Sequence, residues 1–386
     1  MNRAAIPGPP ELLRTRSLVV CVGSGGVGKT SVAATMALWA AREGRRVMVL
    51  TIDPARRLGQ ALGLKKFGNE ETQIDLAGLG VDGAEGGELW AMMLDTRSAF
   101  DNLIRKMAPD AMTADRILAN PIYRVMSSTF AGTQEYMAGE MLHDLAASGR
   151  FDLVVLDTPP VKNALDFLEA PSRLTRFFDP GIIKWFLTPY DERKVFGRLV
   201  AGTSAVVFRL LGFIFGKDFL EGLSEFLQLF TEMVDGFRER HEEVMSLLSS
   251  RDAAFVSVCA PNIPSLEVAD FFARELRARK LPRGGTVVNQ VHQCGDDALD
   301  PRALLADLVA EHATDLPAGT DARLLARLGA AHGRLREVAG RERHLIDDLA
   351  ARLDAAGGFL VELPRLEGEV HDLDALVALG EHLFED

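Results

Sequence analysis

Residues 19–36 read VVCVGSGGVGKTSVAATM. An apolar run drops into a glycine-rich turn and leaves it through Lys29 and Thr30, so the stretch from Gly23 to Thr30 fits GxxxxGK[ST] between a predicted strand and a predicted helix. Glycines let backbone N–H groups converge on phosphate oxygens with no Cβ in the way. The helix N-terminus adds its partial positive charge. Lys29 is suited to the β- and γ-phosphates, and the Thr30 hydroxyl to Mg²⁺. On this reading Gly23, Ser24, Gly25, Gly26, Val27, Gly28, Lys29, Thr30 and Ser31 form a nucleotide-binding loop, with ATP and Mg²⁺ as cofactors.

Short runs rich in Val, Ile and Leu recur outward from this loop. They cover 18–22, 47–52, 89–94, 153–156, 254–259, 286–289 and 359–363. Most lack polar alternation, which suits strands buried on both faces of a parallel sheet. Helical patterns lie between them: Thr30 to Arg42, closed by Gly44, and Pro264 to about Lys280. The fold expected is α/β, a doubly wound, mainly parallel sheet. From about 171 to 250 no strand-like run intervenes, and Phe219, Leu223, Phe226, Phe230, Met233 and Phe237 fall on the spacing of one helix face, continued by His241, Val244 and Leu248. The expected organisation is a discontinuous ATPase domain (1–170 and 251–386) and a helical subdomain (171–250). A charged insert at about 301–355 is expected to form a solvated helical hairpin. The Phe- and Met-bearing stripe either presents an apolar surface to a client segment or packs against its own domain or a partner.

Bulk composition excludes some classes. Lys plus Arg is 43 against 55 Asp plus Glu, and a net charge of −12 disfavours non-specific nucleic-acid binding. Cys21, Cys259 and Cys294 are far apart, so no paired-cysteine zinc site is expected and a reducing compartment is. The N-terminal residues lack a signal-peptide core, and no stretch reaches the ~18 apolar residues of a membrane span. A cytoplasmic protein with no integral membrane span is expected.

Three further segments carry chemistry. In VLTIDPARRL (49–58), Asp53 sits at a strand end, where it suits polarising an attacking water or capping a helix ahead of Pro54. In DLVVLDTPP (152–160), an apolar strand ends in Asp157, the second carboxylate with which such sites hold Mg²⁺ through water. In TVVNQV (286–291), Asn289 suits either the adenine edge or a turn.

Together these segments resemble the ArsA family of ATPases, which includes arsenite-pump ATPases and targeting factors for tail-anchored membrane proteins. The family forms GKGGVGKT, DPAH, DTAP and NQ stand here as GSGGVGKT, DPAR, DTPP and VVNQ, in the same order over most of the chain. The resemblance implies a Mg²⁺-dependent, ATP-hydrolysing dimer of the deviant-loop type, pairing with itself or with another ArsA-type subunit. It implies Asp53 as the catalytic residue, Asp157 as the magnesium-side carboxylate, Asn289 as an adenine contact and Pro364 as part of the turn over the base. It also implies a client-handling helical surface. Departures stand beside the matches. Ser24 replaces the signature lysine that reaches the partner's nucleotide, Arg56 replaces the histidine of DPAH, and Lys162-Asn163 replaces Gly-His. The intersubunit CxxC is missing. Ser24 therefore raises an alternative, a heterodimer subunit with weak hydrolysis of its own. Metalloid efflux requires grouped thiolates, and MinD- or ParA-type positioning requires a basic or amphipathic contact; both are less favoured here.

Overall fold

The computed structural model describes residues 8–53, 57–64, 67–76, 87–129, 133–159, 217–231, 233–294, 320–353, 357–366, 368, 370 and 372–384. The elements in the first half are α1 (Pro9–Thr15), β1 (Leu18–Val22), α2 (Lys29–Arg42), β2 (Arg46–Thr51), α3 (Arg57–Ala61), β3 (Thr72–Ile74), β4 (Glu88–Met93), α4 (Thr96–Met107), α5 (Ala111–Ala119), α6 (Pro121–Thr129), α7 (Thr133–Ala147) and β5 (Leu153–Asp157). Then come α8 (Lys217–Thr231), α9 (Val234–Ser249), β6 (Ala253–Cys259), α10 (Ile263–Ala278), β7 (Arg283–Val291), α11 (Thr320–Leu353), β8 (Phe359–Pro364) and α12 (Leu373–Phe384).

The strands form one 8-stranded sheet in the order β3-β4-β2-β5-β1-β6-β7-β8. Every pairing is parallel except β3 with β4. The seven apolar runs read from the sequence all become strands. Every residue of β1, β5 and β6 is buried, because helices cover both faces of a parallel sheet. The period of two still sorts their side chains. Leu18, Val20 and Val22 of β1 enter the core shared with α4–α9, whereas Val19 and Cys21 enter the core shared with α2 and α12. The short antiparallel edge β3 has no signal in the sequence: Thr-Gln-Ile is half polar and only Ile74 is buried.

Parallel register places the chemistry at one rim. Asp157 pairs with Cys21 on β1 and with Thr51 on β2, so three strand ends meet immediately below the glycine-rich turn. Open α/β sheets place ligands at such carboxyl ends.

The aromatic stripe corrects one expectation and decides another. It does not run along a single helix: α8 ends at Thr231 and α9 begins at Val234, with Met233 N–H donating to the Phe230 carbonyl in the turn between. Phe226 and Phe230 are 0% exposed and Phe237 is 3% exposed. Phe237 stacks on Phe230 at 5.0 Å and meets Phe100 at 6.4 Å. The described part of the stripe is therefore core packing, with apolar burial as its driving force. Arg240 of α9 reinforces it, donating to the buried Glu140 of α7 at 2.9 Å. Residues 171–216 and 301–319 lie outside the described residues. The charged region from 320 on is one 34-residue helix, largely exposed between Arg334 and Glu337 and anchored by Ile346 and Leu349 against α10 and β7. Among the described residues no helix is long and apolar enough to cross a membrane.

Candidate active site

The glycine-rich turn has the backbone geometry its sequence demands. Gly28 caps α2 with φ 88°, and a β-carbon there would lie 2.2 Å from Asn289 Nδ2. At Gly23 a β-carbon would lie 2.0 Å from the Val258 carbonyl oxygen. Both positions are restricted by backbone conformation, at φ 88° and 155°, as well as by space.

Below the turn, a compact network centres on Asp157, which is 0% exposed. Its Oδ2 accepts from Thr30 Oγ1 at 2.8 Å and from Thr51 Oγ1 at 2.9 Å. Burial pushes the Asp157 carboxyl up to about 6, opposed by these two hydroxyls and by Lys29. Lys29 is also buried, and its Nζ donates to the Ser24 carbonyl at 2.9 Å. Burial lowers its pKa, opposed first by Asp157 and then by Asp53. Asp53 follows β2; its N–H donates to Thr51 Oγ1 at 3.2 Å and its Oδ2 lies 3.8 Å from Arg57 Nη1. The Thr51 hydroxyl thus joins the carboxylate of Asp157 to the backbone N–H of Asp53.

The fit to a divalent cation can be judged on this network. Asp157 Oδ1 is buried and has no hydrogen-bond partner among the described residues. The Thr30 hydroxyl donates its hydrogen to Oδ2, which leaves its oxygen lone pairs available. A hydroxyl oxygen and a carboxylate form the hard donor set that suits Mg²⁺. The residues fit, with Thr30 as the direct donor and Asp157 acting beside it.

A cleft of about 990 Å³ runs from Lys29, Thr30, Ser31, Asp53 and Arg57 to Asn289, Pro364 and Arg365. It brings together both ends of the predicted site. Asn289 is buried at its rim, but its amide is engaged: Nδ2 donates to the Val27 carbonyl at 2.9 Å and Oδ1 accepts from Gln290 N–H at 2.9 Å. Gln290 takes up φ 66° and donates through Nε2 to the Gly26 carbonyl at 3.2 Å. The end of β7 is thereby tied to the phosphate turn. Two residues further on, His292 is held by Glu342 of α11 through its N–H and its Nδ1, both at 2.8 Å.

Ser24 takes a different direction. Its hydroxyl is 2.9 Å from Ser265 Oγ, which accepts from Ala260 N–H at the start of the β6–α10 connection. It does not line the cleft; only its carbonyl, bound to Lys29, serves the site. Arg56, Pro160 and Lys162-Asn163 lie outside the described residues. Cys21 and Cys259 are buried, and burial raises the pKa of both thiols, that of Cys259 to about 12.

Sequence reasoning missed Thr51, Arg57, Gln290, Ser265, His292, Glu342 and Arg365. Thr51 and Arg57 stand inside the quoted VLTIDPARRL, at positions whose facing only the register reveals. Glu342 lies on a separate helix and has no local signal at all.

Comparison with known proteins places this geometry among relatives. Residues 16–300 match the model of the ArsA family, described as anion-transporting ATPase. An ATPase named get3 from Aspergillus terreus is 26% identical over 273 residues, 70% of this chain and 71% of that protein. The GET3 ATPase of Podospora anserina is 25% identical over 284 residues, 73% of this chain and 75% of that one. The ATPase ASNA1 homolog 1 of Paramecium tetraurelia is 24% identical over 273 residues, 70% and 73% of the two chains.

Proposed function

The chain belongs to the ArsA family of ATPases, and from that premise we propose that it is a Mg²⁺-dependent dimeric switch whose nucleotide state controls the handling of an apolar client segment by the region of residues 171–250. The observation that carries the nucleotide half of this reading is the convergence of Thr30 and Thr51 on buried Asp157, directly beneath the glycine-rich turn. The client half rests on the family resemblance. The described aromatic stripe does not supply the surface, because it is buried.

In this reading the turn's N–H groups and Lys29 bind the phosphates of ATP. Lys29 exchanges the Ser24 carbonyl for a phosphate oxygen, gaining a charge-assisted partner. Thr30 and Asp157 hold Mg²⁺, which when bound neutralises phosphate charge. Asp53 orients the attacking water and accepts its proton as the water oxygen–phosphorus bond forms; the bond to ADP breaks with its electron pair on ADP. Asn289 must release or share its amide to read the base, so base recognition is coupled to the Val27 carbonyl. Pro364 closes the same end of the cleft.

The test pairs binding with turnover. Asp53→Asn is expected to retain ATP binding and dimerisation while losing hydrolysis. Retained turnover refutes the role given to Asp53, and absence of ATP binding by the unaltered chain refutes the reading as a whole.

A second reading is favoured by one contact. The Ser24 hydroxyl is directed at Ser265 of its own chain, and a neutral hydroxyl brings no charge to a partner's phosphates. This supports a subunit with weak hydrolysis of its own, completed by a different ArsA-type partner. Ser24→Lys is then expected to raise turnover of the isolated chain; unchanged turnover sinks this alternative.

A further inference from the structure

Among the described residues, Asp53, Lys29 and Arg57 line the phosphate end of the cleft, and buried Asp157 lies beneath it, bound to Thr30. Lys29 is buried under the glycine-rich turn. Arg57 is placed differently. It is the first residue of α3, it lines the cleft, and 60% of its side chain is exposed. Its Nη1 is 3.8 Å from Asp53 Oδ2, beyond hydrogen-bond reach. The pair is long, and its arginine end lies in solvent while Asp53 is largely covered. Arg57 is also near enough to act electrostatically on Lys29, together with Asp157 and Asp53. These four charged groups therefore share one field, and Arg57 is the more exposed of the two cations.

We propose that Arg57 is a catalytic residue that exchanges Asp53 for the terminal phosphate of ATP and supplies, from within the chain, charge that Ser24 does not bring. This inference rests on the ATPase reading and adds a residue to it. A guanidinium presents a planar fork that matches phosphate oxygens, so the exchange replaces a long ion pair by paired charge-assisted hydrogen bonds. In the transfer the water oxygen–phosphorus bond forms and the phosphorus–ADP bond breaks with its electron pair on ADP. The water proton passes to Asp53 and then to solvent, and Arg57 donates hydrogen bonds while keeping its own protons.

The test compares the unaltered chain with Arg57→Ala and Arg57→Lys. Equilibrium affinity is measured for Mg·ADP alone and with aluminium fluoride, which mimics the transferring phosphoryl group, and single-turnover hydrolysis is measured beside it. In Arg57→Ala, the preference for the fluoride complex over ADP is expected to fall about 10²–10³-fold, with ADP affinity changed by less than about threefold. Arg57→Lys is expected to restore part of that preference, and unchanged melting temperatures show that the variants are folded. A preference in Arg57→Ala equal to that of the unaltered chain, with normal ADP binding, overturns the role of Arg57 and leaves the ATPase reading standing. An unaltered chain that binds no ADP overturns both.

Discussion

Thr51→Val removes one hydroxyl and almost no volume, yet it disturbs the carboxylate of Asp157 and the backbone that carries Asp53. The Thr51 hydroxyl donates to Asp157 Oδ2 at 2.9 Å and accepts from Asp53 N–H at 3.2 Å. A hydrogen bond to a charged group contributes about 1.5–3 kcal/mol, and an N–H left without its acceptor adds about 1 kcal/mol where water does not reach it. The expected loss of stability is therefore about 2–4 kcal/mol. Unfolding entropy of about 2.1 cal/mol/K per residue over 386 residues gives about 0.8 kcal/mol/K, so the melting temperature should fall by about 2–5 °C. The functional effect should exceed what that small shift suggests. Partners of this kind orient the groups that hold a metal, and their removal costs about 10–100-fold in metal affinity or activity. The assay is a Mg²⁺ titration of ATP binding and hydrolysis, run beside thermal melts on the unaltered chain, Thr51→Val and Thr51→Ser. Serine restores the hydroxyl and should recover most of the Mg²⁺ dependence. If Thr51→Val melts at the original temperature and needs no more Mg²⁺ than the unaltered chain, the coupling of the Asp157 carboxylate to the Asp53 backbone through Thr51 is wrong.

Other perturbations test separate parts of the structure. Gly28→Ala forces a side chain into left-handed backbone and onto the Asn289 amide, at about 1–2 kcal/mol for the conformation plus about 1 kcal/mol for the displaced hydrogen bond; ATP affinity measured by calorimetry should drop at least about tenfold. Phe237→Ala empties a fully packed aromatic position and should cost about 3–5 kcal/mol in urea unfolding while ATP affinity in the folded fraction is retained. Asp152 is held below the usual carboxylate range by hydrogen bonds from Arg46. Its folded pKa is depressed, so its stabilising effect is present above the unfolded value of about 3.9 and is lost as pH falls through the lower folded value. The difference in urea midpoint between the unaltered chain and Asp152→Asn should thus persist from neutral pH to about pH 5 and shrink below about pH 4. Because both partners are well exposed, that difference is small.

Legibility followed the range of the interactions. Continuous Val, Leu and Ile runs mark strands buried on both faces, and such runs are local, so β1, β2 and β4 to β8 could be located from the chain alone. The turn around Gly23 and Gly28 was equally readable, since a position that excludes a β-carbon leaves glycine as its signature. The stripe from Phe219 to Phe237 shows where local periodicity stops being informative. Its spacing correctly marks an apolar face, but the same spacing suits a core, a partner and a client. Only the contacts of Phe230 and Phe237 with the α4–α7 side decide for the core. The spacing also gives no sign of the turn at Met233.

The site divides along the same line. Residue type and local context were enough to name Lys29, Thr30 and Asp157, because phosphate and Mg²⁺ each require a specific donor chemistry, and the family resemblance added the roles of Asp53, Asn289 and Pro364. What each side chain touches was not in the local pattern. Ser24 reads as part of a phosphate loop, yet its hydroxyl meets Ser265, 241 positions away. Asn289 reads as a base contact or a turn residue, yet its amide is bound to Val27 across the sheet. His292 owes its orientation to Glu342 on a helix that sequence reading places only as a charged insert. The sequence by itself determined the α/β class and the phosphate-binding chemistry, since both follow from residue type and short-range order. Tertiary structure decided which hydroxyls serve Asp157, which way Ser24 points and whether the aromatic stripe is buried, since hydrogen bonds and core contacts depend on register and on packing between distant segments.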